Sequence, residues 1–347
     1  MRTGTPPDSS AWRIAVWSLL CAAVMMLAGG RLPADETATV PAAGDRGQGA
    51  DPLIERMRRA AEAMEWSDEL VRHEWRIQRR PGSDSARVLD PTDRVVHSGS
   101  AAACREHFDS LEDSGQIPPV DGPTVILLHG LGEGRGSMRP LANYLREHHE
   151  ATVLTFGYAS PRAGVDDHAR ALGSVIAGLN GANRISLVGH SLGNIVVRRW
   201  MADAPAADLD RIERMVMLGA PNQGSDLARR VSQVWLLSRL STGAAREMVL
   251  DWPRIARNLV VPPCPFGIIA GGTGDAEGYS PMLEGDDDAV VRVEETRLDG
   301  ADDFVLLPVR HAFMMRDPAV QEATASFLKG GRFGATATDP SAAAGER

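Results

Sequence analysis

Arg184-Ile185-Ser186-Leu187-Val188-Gly189-His190-Ser191-Leu192-Gly193 decides how this chain folds. Ile185, Leu187 and Val188 form an apolar strand that stops at a serine flanked by glycines. Behind it, Ile195-Val196-Val197 and Trp200-Met201 continue as an amphipathic helix. A serine hydroxyl is a poor nucleophile unless the backbone presents it in a strained turn beside a base and oxyanion donors. The two glycines of G-x-S-x-G let strand and helix cross without Cβ clashes. With 35 glycines in 347 residues, a chance match is roughly a 0.2 event. The flanking strand and helix therefore carry the reading, against the plainer one of a glycine-rich turn.

The chain is long enough for one large α/β core with appendages, and 43 % hydrophobic residues suit a globular protein. A net charge of −9 argues against nucleic acid, which calls for clustered basic surface. No zinc-ligand spacing and no GxxxxGK[ST] loop is present, so no metal and no cofactor is expected.

Arg2 and Arg13 precede an apolar run from Ile14 to Leu27, followed by Ala28-Gly29-Gly30. The run is shorter than the roughly 20 residues of a spanning helix. Residues 1–34 are read as a signal peptide or an N-terminal anchor, which makes the protein exported and leaves open a membrane association through this segment. Cys21 lacks the preceding small residue of a bacterial lipoprotein site. Cys104 and Cys264 remain, either as a disulfide or as two free thiols.

Residues 35–50 read as a linker and 331–347 as a disordered tail. Between them, 51–122 is a small extension of helix, hairpin and helix. Its first helix carries Ile54, Met57 and Met64, its hairpin pairs Trp75–Gln78 with Arg87–Leu89, and its second helix runs over Ala101–Glu112. Residues 123–330 form the main domain. Strands are expected at Thr124–Leu128, Thr152–Phe156, the elbow, Met215–Leu218 and Phe266–Ala270. They alternate with helices at Met138–His149, Val165–Leu179 and Ala319–Leu328. That alternation means an α/β fold with a doubly wound, mostly parallel sheet and ligands at the carboxyl ends of its strands. Residues 225–261 are a short apolar insertion with Val234-Trp235-Leu236-Leu237 and Trp252, either a cap over the site or two surface helices.

Three motifs in this domain resemble the α/β-hydrolase superfamily, in its bacterial lipase and carboxylesterase branch. They are Leu128-His129-Gly130-Leu131-Gly132, the elbow at Ser191, and Gly219-Ala220-Pro221-Asn222-Gln223-Gly224-Ser225. The last is similar to the branch's Thr-Pro-His-x-Gly-Ser turn, with Asn222 in place of His. The resemblance implies Ser191 as nucleophile and the backbone amides of Leu131 and Leu192 as oxyanion donors; His129 is read as a structural residue bracing its loop rather than a catalytic one. The resemblance also implies the order Ser, acid, His. Of the nine histidines only His311 follows Ser191, which makes it the base. Gly285-Asp286-Asp287-Asp288-Ala289-Val290-Val291 resembles the family's Asp-Gly-x-Val acid loop with Ala289 at the Gly position. This places the acid at Asp288, with Asp287 as runner-up and Asp275 nearby; a solvated acidic turn is the plainer alternative.

The function this implies is cleavage of small-molecule carboxylic or lipid esters through an acyl-enzyme. Thioesterase or acyltransferase chemistry would use the same parts. A non-catalytic envelope binding protein keeping the fold, and an anchored structural protein, are the other classes.

Overall fold

A computed structural model describes residue 62, residues 64–227 and residues 243–334. The N-terminal segment with Cys21, the linker, nearly all of the first expected helix, the apolar stretch 234–240 and most of the tail lie outside the described residues. Two sheets are present among them. The first is an antiparallel meander of β1 (Ser67–Arg72), β2 (Trp75–Arg79), β3 (Ser85–Leu89) and β4 (Val95–Ser100). The expected hairpin is its middle, β2 with β3, extended by one strand on each side. Helix α1 (Ala101–Asp113) packs against this sheet through Cys104 and Phe108. It starts where the Ser100 hydroxyl accepts the Ala103 amide, an N-cap that satisfies an otherwise orphaned donor.

The second sheet contains β5 (Asp121–Leu128), β6 (Thr152–Phe156), β7 (Gly181–His190), β8 (Ile212–Leu218), β9 (Phe266–Gly271) and β10 (Asp303–Leu307). Its spatial order is β10-β9-β8-β7-β5-β6, and each neighbouring pair is parallel. Alternation along each strand divides the core into two. Ile126, Leu128, Leu154, Leu187 and Met217 face α3 (Val165–Gly178) and α4 (Leu192–Asp203). Val125, Leu127, Val188, Val216 and Ile269 face α2 (Arg139–His148) and α6 (Pro318–Gly330). The sheet is buried on both faces, which is why its strands read as unbroken apolar runs. Helix α6 begins with Asp317 accepting the Ala319 and Val320 amides and ends at Gly331 with φ +72°.

After β6 the chain returns across β5 to β7, so strand order reverses between β5 and β7. Helices leave in opposite directions there and open a crevice at the carboxyl ends of these two strands. The HGLG loop and the elbow are the segments that leave those ends.

The described part of the insertion holds α5 (Gly243–Leu250) and a short helical segment at Trp252–Ala256. The Ala244 amide donates to Ala163 O at 2.7 Å, and Glu247 Oε2 accepts the Val165 amide at 2.7 Å, capping α3. Cys104 and Cys264 are free thiols, the first buried and the second half-buried.

One buried group on α3 gives the fold a pH dependence. His168 is fully buried, its ring 4.7 Å from Tyr158, and it faces the Ala163 and Ser160 carbonyls without a well-formed hydrogen bond. Burial, and secondarily His129, push it down to about 3 from an ordinary 6.5. The ring is neutral when folded and takes a proton when unfolded. Stability is therefore complete above about pH 6.5 and is lost as pH falls toward 3, by about 2 kcal/mol at pH 5. Urea titrations at pH 7 and pH 5 measure this difference, and His168→Leu should shrink it.

Candidate active site

Each element of the crevice is fixed by local chemistry. Ser191 follows β7 directly and adopts φ +50°, ψ −118°, a strained conformation for a residue with a Cβ. Its amide donates to Leu218 O at 2.9 Å, which pins the turn to the neighbouring strand. A Cβ on Gly193 would lie 2.7 Å from Leu128 O, and one on Gly189 would lie 2.4 Å from Asn194 Oδ1. Helix α4 thus crosses the end of β5 at a distance that only glycine permits.

The Asp288–His311 pair lies beside this turn. His311 Nδ1 is 2.6 Å from Asp288 Oδ2, and the His311 amide donates to Asp288 O at 2.8 Å. A carboxylate is acceptor-only, so Nδ1 carries the proton and the free lone pair of the neutral ring lies on Nε2. Asp288 Oδ1 accepts the Val290 and Val291 amides at 2.9 and 2.7 Å. Burial of His311 favours the neutral ring, but the charge and hydrogen bond of Asp288, with a smaller contribution from Glu133, outweigh it and raise its pKa above the ordinary value. Gly219, after β8, leaves room for the pair: a Cβ there would stand 3.0 Å from His311 Nδ1 and 3.1 Å from Asp288 Oδ2.

The other acidic residues serve the loop. Asp287 is fully buried, accepts the Ala289 amide at 2.6 Å and the Ser280 amide at 3.3 Å, and is pushed up by burial. Asp286 accepts the Thr273 and Gly274 amides. Asp275 accepts from Thr273, Glu277 and Gly278. Ala289 takes φ +85°, a left-handed value that the glycine of the resembled loop would adopt without strain.

The structure brings Asp288 to His311, and His311 to the elbow through His190, whose ring lies 4.6 Å from that of His311. Among the described residues, no hydrogen bond joins Ser191 Oγ to His311. Leu192 is buried as the first residue of α4, and Leu131 lies in the turn after β5. His129 is fully buried: Nε2 accepts the Tyr158 amide at 3.2 Å and Nδ1 donates to Gly130 O at 2.8 Å. Both ring nitrogens are used, and burial lowers its pKa, so this histidine braces the loop. Asn222 donates to Thr296 O at 2.8 Å and accepts from Arg198 at 2.9 Å, tying the turn after β8 to α4. Sequence reasoning gave no role to Gly219 or His190, although both stand in its motifs, and missed Glu133. A glycine directly after a core strand was the available signal for the first.

The Bacillus licheniformis lipase BlEst2 in its propeptide form superposes with a TM-score of 0.50 at 18 % identity, over 64 % of this chain and 54 % of that one. The chain has the α/β-hydrolase fold. The mature form of that lipase gives a TM-score of 0.49 at 17 % identity, over 62 % of this chain and 96 % of the lipase. An esterase from Thermogutta terrifontis gives 0.42 at 15 % identity, over 62 % and 92 %. No family model matches the chain, and no curated protein matches it in sequence. In the α/β-hydrolase fold the elbow serine, the acid and the histidine sit on loops leaving the carboxyl ends of the strands. Ser191, Asp288 and His311 occupy such loops after β7, β9 and β10.

Proposed function

We propose that this chain is a serine hydrolase of small-molecule carboxylic esters. The observation that carries the reading is the short Asp288–His311 hydrogen bond beside a serine held at φ +50°. His311 Nε2 takes the Ser191 proton as Oγ attacks the ester carbonyl, forming a tetrahedral oxyanion. The Leu131 and Leu192 amides would hold that oxyanion, each donor typically worth about 3 kcal/mol in a dry site. The imidazolium then protonates the leaving alcohol, and an acyl-enzyme remains on Ser191. Water, deprotonated by His311, releases the acid and restores the serine. Asp288 fixes the ring's tautomer and stabilises its cation.

The test is labelling with a fluorophosphonate, which reacts with activated serines. A single adduct on Ser191 supports the reading, and a folded chain that stays unlabelled defeats it. Gly219→Ala should push the Asp288–His311 pair by a few tenths of an ångström and lower kcat about tenfold. Steady-state kinetics on p-nitrophenyl acetate check this, and an unchanged kcat would mean that the pair's position is not critical.

A further inference from the structure

Half-buried Glu133 and fully buried His190 are polar residues for which the proposed chemistry has no use. Glu133 follows the HGLG loop, and its side chain is only 16 % exposed. Its Oε2 accepts the Gly130 amide at 3.2 Å and the Ser137 hydroxyl at 2.6 Å. Gly130 immediately precedes Leu131, so this carboxylate fixes the backbone that would present an oxyanion donor. Oε1 lies 3.3 Å from His190 Nδ1, an ion-pair distance without the angle of a full hydrogen bond. His190 is the last residue of β7 and is fully buried. On the other side of its ring, Nε2 lies 3.1 Å from His311 O and donates to it. One path of contacts therefore runs from the Gly130 amide, through Glu133 and His190, to the backbone of His311.

We propose that Glu133 and His190 are a positioning pair that holds the loop bearing Leu131 in register with the loop bearing His311. Neither needs to touch substrate. A flexible HGLG loop would lose oxyanion geometry even with Ser191, Asp288 and His311 intact, because an error of about 1 Å in such a site costs about a hundredfold in rate. His190 is the elbow residue whose side chain points away from Ser191, and from there it reaches the base loop. Glu133 carries a second consequence. Burial opposes its charge, but His190 and Ser137 hold its carboxyl well below the usual range, so it is an anion under the site. The charged and titratable groups facing His311 are Asp288 from its own end of the sheet, Glu133 from the β5 loop and His190 from β7. Removing the Glu133 charge takes away one of the two anions that favour the His311 cation.

Glu133→Gln keeps the shape and one acceptor while deleting the charge. His190→Gln keeps a donor to His311 O while deleting the ring, and serves if the first variant folds poorly. Two readouts are taken, the His311 ring titration by NMR on histidine-labelled protein and the kinetics of p-nitrophenyl acetate hydrolysis. In Glu133→Gln the His311 midpoint should fall, and kcat should drop about tenfold to a hundredfold with KM within about threefold. An unmoved His311 midpoint, or a kcat within twofold of the parent, overturns the proposal. The kinetic arm rests on the ester-hydrolase reading and the titration does not. A parent protein that hydrolyses nothing defeats that reading, while the NMR result still decides the pairing.

Discussion

Ser191→Ala is expected to reduce p-nitrophenyl ester hydrolysis to the uncatalysed background, a loss of about 10⁶-fold in kcat. Alanine retains the Cβ and can occupy the same φ +50° turn. The amide that donates to Leu218 O is untouched, as are the glycine contacts that let α4 cross β5. The substitution therefore removes an oxygen and little else, and the melting temperature should barely move. A folded variant that hydrolyses at the parent rate would remove Ser191 from the chemistry. Activity that falls together with the melting temperature would mean that the loss reports folding.

Asp288→Asn should lower kcat about 10⁴-fold, and the hydrogen bonds show why. Oδ1 accepts two amides, from Val290 and Val291. An asparagine must keep its oxygen at that position, which turns its NH₂ toward His311 Nδ1. A donor facing Nδ1 forces the ring proton onto Nε2, and the nitrogen nearer the serine can then no longer accept. The pH profile adds a check. In the parent, Asp288 raises the His311 pKa, so the acid limb of kcat/KM should fall above the ordinary histidine midpoint of 6.5. Residual activity in Asp288→Asn should show that limb displaced to lower pH. Asp287→Asn should lower kcat far less than Asp288→Asn, because its oxygens serve the Ala289 and Ser280 amides and the change costs one of those bonds, not the tautomer of His311. The reverse pattern would move the acid one residue toward the N-terminus.

Much of the fold was legible because a sheet covered on both faces writes itself as apolar runs. Thr152–Phe156 is found at its expected limits, and the expected Phe266–Ala270 strand ends one residue later, at Gly271. Strands β1 and β4 were missed, as was β10. The first, Ser67–Arg72, carries buried Asp68 and Arg72, and β4 is mostly exposed, so neither shows the alternation that marks a strand. At the candidate site, the serine could be named from its motif, and the histidine from the order Ser, acid, His that the resemblance implies. Asp288 needed the resemblance, since three consecutive aspartates differ only in which way the backbone turns them. The Glu133–His190 contact was invisible, because it joins residues 57 positions apart across two parallel strands. No spacing rule covers such a pair.

The N-terminal meander is joined to the main sheet by more than adjacency. Asp68 and Arg76 are both fully buried and lie 2.7 Å apart. Asp68 also accepts the Gly157 amide beyond β6, while Arg76 donates to Thr155 O within it. The chain therefore cannot be shortened to its main domain at residue 123. A fragment starting there would expose the flank of β6, an invitation to intermolecular strand pairing, and would be expected to aggregate rather than yield a smaller folded protein.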